Sequence, residues 1–319
     1  MRKIRYRRFL EIACLVMAIA LIPALGWSAK RISMATAGTG GTLYPVGALM
    51  AEMINKTYPE YIVTAEATGG SVENIRLLEA GETDMATVGM DTAYRASIGE
   101  GKSFQGKKST IVGLFNMYDQ PVHFVVPKDS DIKSYSDIKG KRIAVGAPGS
   151  GNEDKCKIML ESIGITYKDF KPEFLSFSES CEAISDGHID GTFIWAGPPN
   201  SSIMRLATIR PIKFVDVADW EAEKINNTMP YITTYNMAAN IYKDVNAAKA
   251  LSIMTGLIAT PRLPEEDAYK IVKAIFENLG PLSKSHKIIE DYNFKNGPKT
   301  CIPLHPGAKR YFVEKGALK

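Results

Sequence analysis

The chain has 319 residues, with 39 lysines and arginines against 35 aspartates and glutamates. The small basic excess belongs to the first 29 residues, because the remainder holds 34 basic and 34 acidic side chains. This balance gives no sign of a nucleic-acid partner or of an anionic membrane surface. The remaining length, about 290 residues, exceeds what one hydrophobic core usually serves, so we expect two lobes.

The N-terminal segment has the pattern of a secretory signal peptide. Residues 1–8 are rich in arginine and lysine, residues 9–26 are mostly apolar, and the small residues Ser28 and Ala29 follow. The alternative is a membrane anchor, since an apolar run of about 18 residues is borderline for crossing a bilayer. Glu11 and Pro23 interrupt the run and favour cleavage. We expect residues 1–29 to be removed and the rest to be soluble outside the cytoplasmic membrane.

The rest of the chain alternates β-rich runs with segments of helical periodicity. This alternation is typical of α/β folds with mainly parallel sheets joined by right-handed crossovers. The predicted strands are 32–37, 61–67, 85–88, 110–114, 122–126, 142–145, 173–177, 191–195 and 213–217.

The order of these elements predicts two lobes with a cleft between them. The pattern runs from residue 31 to 120 and starts again after the extended segment 118–121. The tail from 261 is helical, with Pro264 opening a helix at 265–279 and Gly280-Pro281 stopping it. We assign 31–120 plus 261–319 to lobe 1 and 121–260 to lobe 2. Ligands of such sheets bind at the carboxyl ends of the strands.

Cysteine chemistry adds little to the functional prediction. Cys14 leaves with the signal segment, and Cys156, Cys181 and Cys301 form an odd set without a CxxC motif. Cys156 and Cys181 could form a disulfide in an oxidising compartment, and two buried free thiols are an equal alternative.

One local pattern occurs three times: a strand, a turn of glycine with serine or threonine, and the start of a helix. The turns lie at 37–45, 67–74 and 145–153. Pro45 suits the first helical position and Ser71 suits an N-cap. Such turns present free N–H groups at the positive end of a helix dipole, which suits an anion. Simple helix capping also explains one such turn, but three could converge across a cleft.

Other chemistries lack support in the sequence. The first turn lacks the third glycine of a dinucleotide fingerprint, and the third turn lacks the GK[ST] ending of a P-loop. Neither Ser71 nor Ser150 lies in a GxSxG motif. The four histidines show no metal-ligand spacing. We therefore expect no catalytic residue, no metal site and no cofactor. The three turns contain no arginine or lysine, so we expect backbone N–H groups and hydroxyls to hold the anion.

At these turns the sequence resembles the TAXI family of solute receptors from TRAP (tripartite ATP-independent periplasmic) transporters. The similarity rests on residues 36–47, 68–74, 140–151, 186–191 and 303–308. It implies a two-lobed periplasmic-binding-protein fold of type II, a periplasmic location and a TRAP permease as partner. It also implies a carboxylate-bearing solute such as glutamate, 2-oxoglutarate or a related organic acid, bound by a monomer.

The leading hypothesis is therefore a binding protein and not an enzyme. An exported transferase-like enzyme is one alternative, for which Cys156 or Cys181 would have to be the reactive residue. A periplasmic ligand sensor that contacts a membrane receptor is another. Tyr44 and Trp195 could equally be core aromatics. The predicted ligand-binding residues are Thr39, Gly41, Thr42, Tyr44, Ser71, Asn74, Asp91, Ser150, Gly151, Asn152 and Trp195.

Overall fold

The computed structural model describes residues 29–319. The predicted signal peptide lies almost wholly outside the described residues. Within residues 29–319, none of the helices has the length and apolar character that crossing a membrane requires.

The first part of the chain forms a three-stranded parallel sheet flanked by helices. Strand β1 lies in the middle and pairs with β2 on one side and β3 on the other. The elements are β1 (Lys30–Ala35), α1 (Leu43–Thr57), β2 (Tyr61–Glu66), α2 (Ser71–Ala80), β3 (Met85–Gly89) and α3 (Met90–Ile98). Each of α1 and α2 follows a strand directly after one of the glycine-rich turns, as the sequence pattern predicts.

The second part repeats this arrangement. Strand β5 lies between β6 and β7, and all three are parallel. The elements are β5 (Arg142–Ala144), α4 (Gly151–Ser162), β6 (Lys171–Glu173), α5 (Phe177–Ser185), β7 (Gly191–Trp195), α6 (Ser201–Ile209), β8 (Ile212–Phe214) and α7 (Asp219–Thr228). The strand predicted at 173–177 is displaced, because β6 ends at Glu173 and a capping box of Ser176 and Glu179 starts α5 at Phe177.

Two long strands connect the two parallel sheets. Strand β4 covers Val112–Pro127, and its first half pairs with β10 while its second half pairs with β7 and β8. Strand β10 covers Ala248–Ala259 and runs antiparallel to β9 (Thr233–Met237), β4 and β3. The two strands predicted at 110–114 and 122–126 are therefore one, and β9 and β10 were missing from the prediction.

The C-terminal tail packs against the first sheet. Helices α8 (Glu265–Phe276), α9 (Leu279–Ser285) and α10 (Pro306–Glu314) follow β10. Pro264 is the N-cap of α8, as predicted, but α8 ends at Phe276 and not at residue 279, before Gly280 and Pro281 are reached. They lie in the first turn of α9, where proline has no helical N–H bond to lose. The tail helices share one hydrophobic cluster with β1, α1 and the first half of β4.

The hydrophobic residues divide into clusters on either side of the crossing strands. Two clusters combine residues from 32–118 with residues from 257–312, and two others combine residues between 122 and 253. The predicted α/β architecture with flanking helices is confirmed. The strands form one mixed sheet, in which β4 and β10 join the two parallel groups through antiparallel pairing. Because β4 and β10 run through both parts, the carboxyl ends of β1, β2, β5 and β7 face a common cleft.

Candidate functional site

A cavity of about 310 Å³ lies where the three glycine-rich turns meet. It is closed on its remaining sides by the start of α5 and by the end of β7. Its lining residues are Ala37, Gly38, Thr39, Gly40, Gly41, Thr42, Leu43, Thr68, Gly69, Gly70, Ser71, Gln120, Ala147, Ser150, Gly151, Asn152, Lys155, Ser176, Phe177, Ser178 and Trp195.

The first turn connects the two parts of the molecule. Its tight bend is closed by the hydrogen bond from Gly41 N–H to the Gly38 carbonyl, 2.9 Å. Thr42 donates its hydroxyl to the Gly197 carbonyl at 2.7 Å, and the Gly40 carbonyl accepts from Asn200 Nδ2 at 2.9 Å. The predicted position of Pro45 is wrong: α1 begins at Leu43, so that proline lies at the third helical position. These contacts place Thr39 and Thr42 at the cavity.

The second turn uses glycine where the sequence predicts a serine cap. Gly70 is the N-cap of α2 with a φ of 109°, a region that side chains rarely adopt. Ser71 is the first helical residue, so its prediction as an N-cap is wrong. Its Oγ instead accepts a hydrogen bond from Gly89 N–H at 3.0 Å. The hydroxyl hydrogen of Ser71 remains available to a ligand.

The third turn brings the start of α4 against the start of α2. Ser150 caps α4 by accepting from Glu153 N–H at 3.1 Å. A Cβ added to Gly151 would lie 2.9 Å from Ser71 Oγ, which shows how closely the two helix starts approach. The first-turn N–H groups of both helices lack helical acceptors, so the positive ends of two dipoles meet at one cavity.

Asn152 fixes the third turn to strand β7. Its Nδ2 donates to the carbonyls of Val145 and Phe193, and its Oδ1 accepts from Trp195 N–H at 2.8 Å. Because three backbone groups use this amide, Asn152 holds the cavity wall and has little capacity left for a ligand. Trp195 is 1% exposed and contributes an aromatic wall.

Lys155 is the residue that the sequence-based prediction missed. It lies on α4, one turn beyond the glycine-rich segment, and it lines the cavity while being only 2% exposed. Its Nζ is 3.9 Å from Asp91 Oδ1 and 6.0 Å from the centre of the Trp195 ring. No hydrogen bond joins this ammonium group to another residue of 29–319. The prediction that backbone N–H groups and hydroxyls hold the anion overlooks this ammonium group, which also lines the cavity.

Asp91 lies behind Lys155 and not in the cavity wall. It belongs to a buried group of two acids and two bases, in which Arg95 Nη2 pairs with Asp154 and lies 3.7 Å from Asp91 Oδ2. Arg95 and Asp91 come from α3, whereas Asp154 and Lys155 come from α4. The group therefore connects the two parts of the molecule beside the cavity.

Two other predicted residues also lie outside the cavity lining. Asn74 is buried and donates to the carbonyls of Thr36 and Thr87, so its amide holds the second turn to the sheet. Tyr44 lies in the first turn of α1 and is half-buried. The cavity therefore collects Thr39, Gly41, Thr42, Ser71, Ser150, Gly151, Asn152 and Trp195 from the predicted set.

Cys156 and Cys181 lack the exposure and the lowered pKa of reactive thiols. Cys156 and Cys181 are free and buried, so the predicted alternative of a disulfide between them is not present. Burial raises the pKa of Cys181 to about 12 and raises the pKa of Cys156 further. Both thiols are protonated at neutral pH, and the thiol form is a poor nucleophile. Neither residue supports the transferase-like alternative.

The fold and the cavity together define the periplasmic solute-binding class, in which two α/β parts joined by crossing strands enclose a ligand. The model of the NMT1-like family matches residues 34–316, and the chain belongs to that family. The fold is shared with the periplasmic binding protein BugD, with a TM-score of 0.57 at 12% identity over 90% of this chain and 94% of that one.

Two further similarities concern the kind of transporter. The "Putative aliphatic sulfonates-binding protein" of Escherichia coli (strain K12) is 22% identical over 265 residues, 83% of this chain and 76% of that protein. The "Putative L-Cystine ABC transporter" of Listeria monocytogenes has a TM-score of 0.51 at 16% identity, over 82% of this chain and 96% of that one.

The resemblance to the TAXI family of TRAP transporters is therefore wrong. The matching family model is that of the NMT1-like family, and the curated relative is named as a sulfonates-binding protein. The physical reason is that glycine and serine turns before helices satisfy requirements of backbone geometry and capping. Binding proteins of different transporter types meet the same requirements, so these motifs indicate the fold and do not separate the transporters.

Proposed function

We propose that this protein captures a small organic anion outside the cytoplasmic membrane and delivers it to an ABC-type membrane transporter. The observation that carries the proposal is Lys155, a buried ammonium group that lines the cavity at the meeting point of two helix N-termini. A cation and two helix dipoles at one position favour negative charge there.

The hydrogen-bonding groups around Lys155 suit an anion as well. Ser71 Oγ and Ser150 Oγ each accept a hydrogen bond from a backbone N–H group. The hydrogen of each hydroxyl is therefore left to donate to a ligand. Together with the first-turn N–H groups of α2 and α4, these hydroxyls can replace the hydration shell of a carboxylate or sulfonate. The anion would lie between α2 and α4, in front of Lys155.

The contacts across the cleft support capture by closure. The first turn belongs to the proposed lobe 1, yet the Gly40 carbonyl accepts from Asn200 and Ser202 of the proposed lobe 2. A ligand that contacts both lobes would stabilise this closed arrangement and would be hidden from water. A closed surface that exists with ligand bound is what a transporter can recognise.

Three similarities support the choice of partner. The family is that of NMT1-like proteins, the relative from Escherichia coli is named for sulfonates, and the Listeria protein is named for an ABC transporter. The N-terminal pattern of residues 1–29 supports export. N-terminal sequencing of the secreted protein would test export, and a retained N-terminal segment would mean a membrane-tethered receptor.

The binding site is tested by filling the cavity. Small molecules that copurify with the mature protein are identified by mass spectrometry, and the ligand-free protein is then titrated with the recovered molecule by calorimetry. Ala147→Trp should abolish binding, because Ala147 lines the cavity. The matched control is Ala80→Trp, at the exposed end of α2. Equal binding by both variants, or no small molecule bound by the protein, would contradict the proposal.

A further inference from the structure

The charged side chains that line the cavity are of one sign only. Among the described residues that line it, Lys155 is the one charged side chain, and no aspartate or glutamate is present. Asp91, the nearest acid to Lys155 in the buried group, is outside the lining. A ligand in this cavity therefore meets one positive charge and no negative charge.

A positively charged group on the ligand would find no carboxylate among the lining residues. Ammonium groups of bound amino acids need carboxylates or several carbonyl acceptors to replace their hydration. The cavity offers instead the positive ends of the α2 and α4 dipoles, which repel a cation. A ligand with an α-ammonium group would lose its hydration without compensation.

A second negative charge would find no second positively charged side chain in the lining. Lys155 already shares its charge with Asp91, and the lining also includes the apolar side chains of Leu43, Phe177 and Trp195. A buried carboxylate without a counter-charge is strongly unfavourable. The apolar walls instead match a hydrocarbon body, whose burial is favourable.

We infer that the ligand is a monoanion without an ammonium group, a monocarboxylate or monosulfonate with an apolar body, held at its charged end by Lys155. This inference rests on the proposed function and narrows its substrate class. It excludes α-amino acids and dicarboxylates as the preferred solutes. Lys155 is the specificity-determining residue, because it supplies the single charge.

The inference is tested with four probes that share a five-carbon body. Pentanoate and pentane-1-sulfonate are monoanions, norvaline adds an ammonium group, and glutarate adds a second carboxylate. Calorimetry with ligand-free protein should give at least one monoanion an affinity about tenfold or more above those of norvaline and glutarate, the effect of one unpaired charge. Tighter or equal binding of norvaline or glutarate would overturn the inference and leave the proposed function standing.

If none of the four probes binds, the charge of the copurifying small molecule tests the inference. A recovered monoanion without an amine supports the inference, and a recovered amino acid or dianion overturns it. If no probe binds and no small molecule is recovered, the proposed function fails together with the inference. A recovered amino acid or dianion therefore overturns the charge class and leaves the binding function standing.

The role of Lys155 is tested by removing its charge. Lys155→Met should lower the affinity for the bound monoanion about 30-fold or more, because charged hydrogen bonds in dry sites are strong. Lys157→Met is the matched control on the same helix, outside the cavity lining, and should bind normally. The double variant Lys155→Met/Asp91→Asn removes one charge of each sign and serves if the single variant fails to fold. Wild-type affinity in either Lys155 variant would overturn the assignment.

Discussion

Lys155 and Arg95 are two buried cations on neighbouring helices, 2% and 1% exposed, and both lie close to Asp91. Arg95 is enclosed by acids, because Asp154 pairs with it directly and Asp91 lies behind it. Lys155 has Asp91 at 3.9 Å on one side and the cavity on the other. The two residues show how burial alone does not distinguish a structural charge from a binding charge.

The difference lies in what surrounds each charge. Burial by itself would lower the pKa of Arg95, but Asp91 and Asp154 outweigh it and raise that pKa. The guanidinium group is thus compensated within the protein, and its loss should change stability. The ammonium group of Lys155 is only partly compensated, and its loss should change ligand affinity. Substitutions in the two regions should therefore separate stability from binding.

The largest effect is expected at Arg95. Arg95→Met leaves Asp91 and Asp154 without their shared cation, and breaking a buried pair in this way typically costs about 3–5 kcal/mol. Urea denaturation of ligand-free protein measures it. Arg142→Met is the control, because its pair with Asp190 is partly exposed and should contribute about 1 kcal/mol or less. If Arg95→Met lowered the free energy of unfolding as little as Arg142→Met does, the contrast between Arg95 and Lys155 would be contradicted.

His123 extends the comparison to a buried group that titrates. Its ring lies between the Ile194 carbonyl at 3.1 Å and the Tyr242 hydroxyl at 2.9 Å, and burial lowers its pKa to about 4. Below the unfolded value of about 6.5, the unfolded chain binds a proton that the folded protein does not.

The stability that His123 provides is therefore complete at neutral pH and decreases as the pH falls from about 6.5 to about 4, by up to about 3 kcal/mol. Denaturation at pH 7 and pH 4.5 measures this decrease, and His123→Gln should reduce it. An unchanged pH dependence in the variant would show that other groups cause it. Binding of the anion at neutral pH should be the same in both proteins.

A substitution at Gly151 should act on binding and spare stability. The added methyl of Gly151→Ala would lie 2.9 Å from Ser71 Oγ and 3.2 Å from Lys155 Nζ, so the two helix starts must separate. We expect ligand affinity to fall about tenfold or more, equivalent to about 1.4 kcal/mol. Gly280→Ala is the control, since its methyl would meet open space and Gly280 lies outside the cavity lining. Equal affinities in the two variants, measured by calorimetry, would show that this close approach is irrelevant to binding.

The smallest effects are expected at the cavity hydroxyls. Ser150→Ala removes the cap on α4 and should lower stability by about 1 kcal/mol. Ser71→Ala leaves Gly89 N–H without its acceptor and should have a similar effect. If the hydroxyls also donate to the anion, each affinity should fall by a further factor of about five or more. If both variants lower the free energy of unfolding but keep wild-type affinity, the two serines have a structural role only.

The repeated β–turn–α pattern was sufficient to predict the α/β fold and to bring the three turns together. The pattern could not reveal β10, because Ala248–Ala259 is a nearly continuous apolar run, and periodicity does not distinguish such a run from a buried helix. It also could not show that Val112–Pro127 is one strand, since the extended segment 118–121 resembles a connection between lobes.

The site was only partly predictable for a related reason. Residues in the turns were found because glycine and serine mark helix starts, but such residues serve capping and binding alike. Asn74 and Asn152 proved to be tied to backbone groups of the sheets. Lys155 carries no local signal, because a lysine within a helix is usually exposed. Its direction toward the cavity depends on how α4 packs against β7 and α3, which is tertiary information.

The central claim is that an anion lies between the starts of α2 and α4, against Lys155. A crystal structure of the mature protein with its copurified ligand tests this most directly. The account predicts a carboxylate or sulfonate within hydrogen-bonding distance of Lys155 Nζ and of the Ser71 or Ser150 hydroxyl, with the ligand body against Trp195. A ligand bound elsewhere, or an ammonium group in front of Lys155, would contradict it.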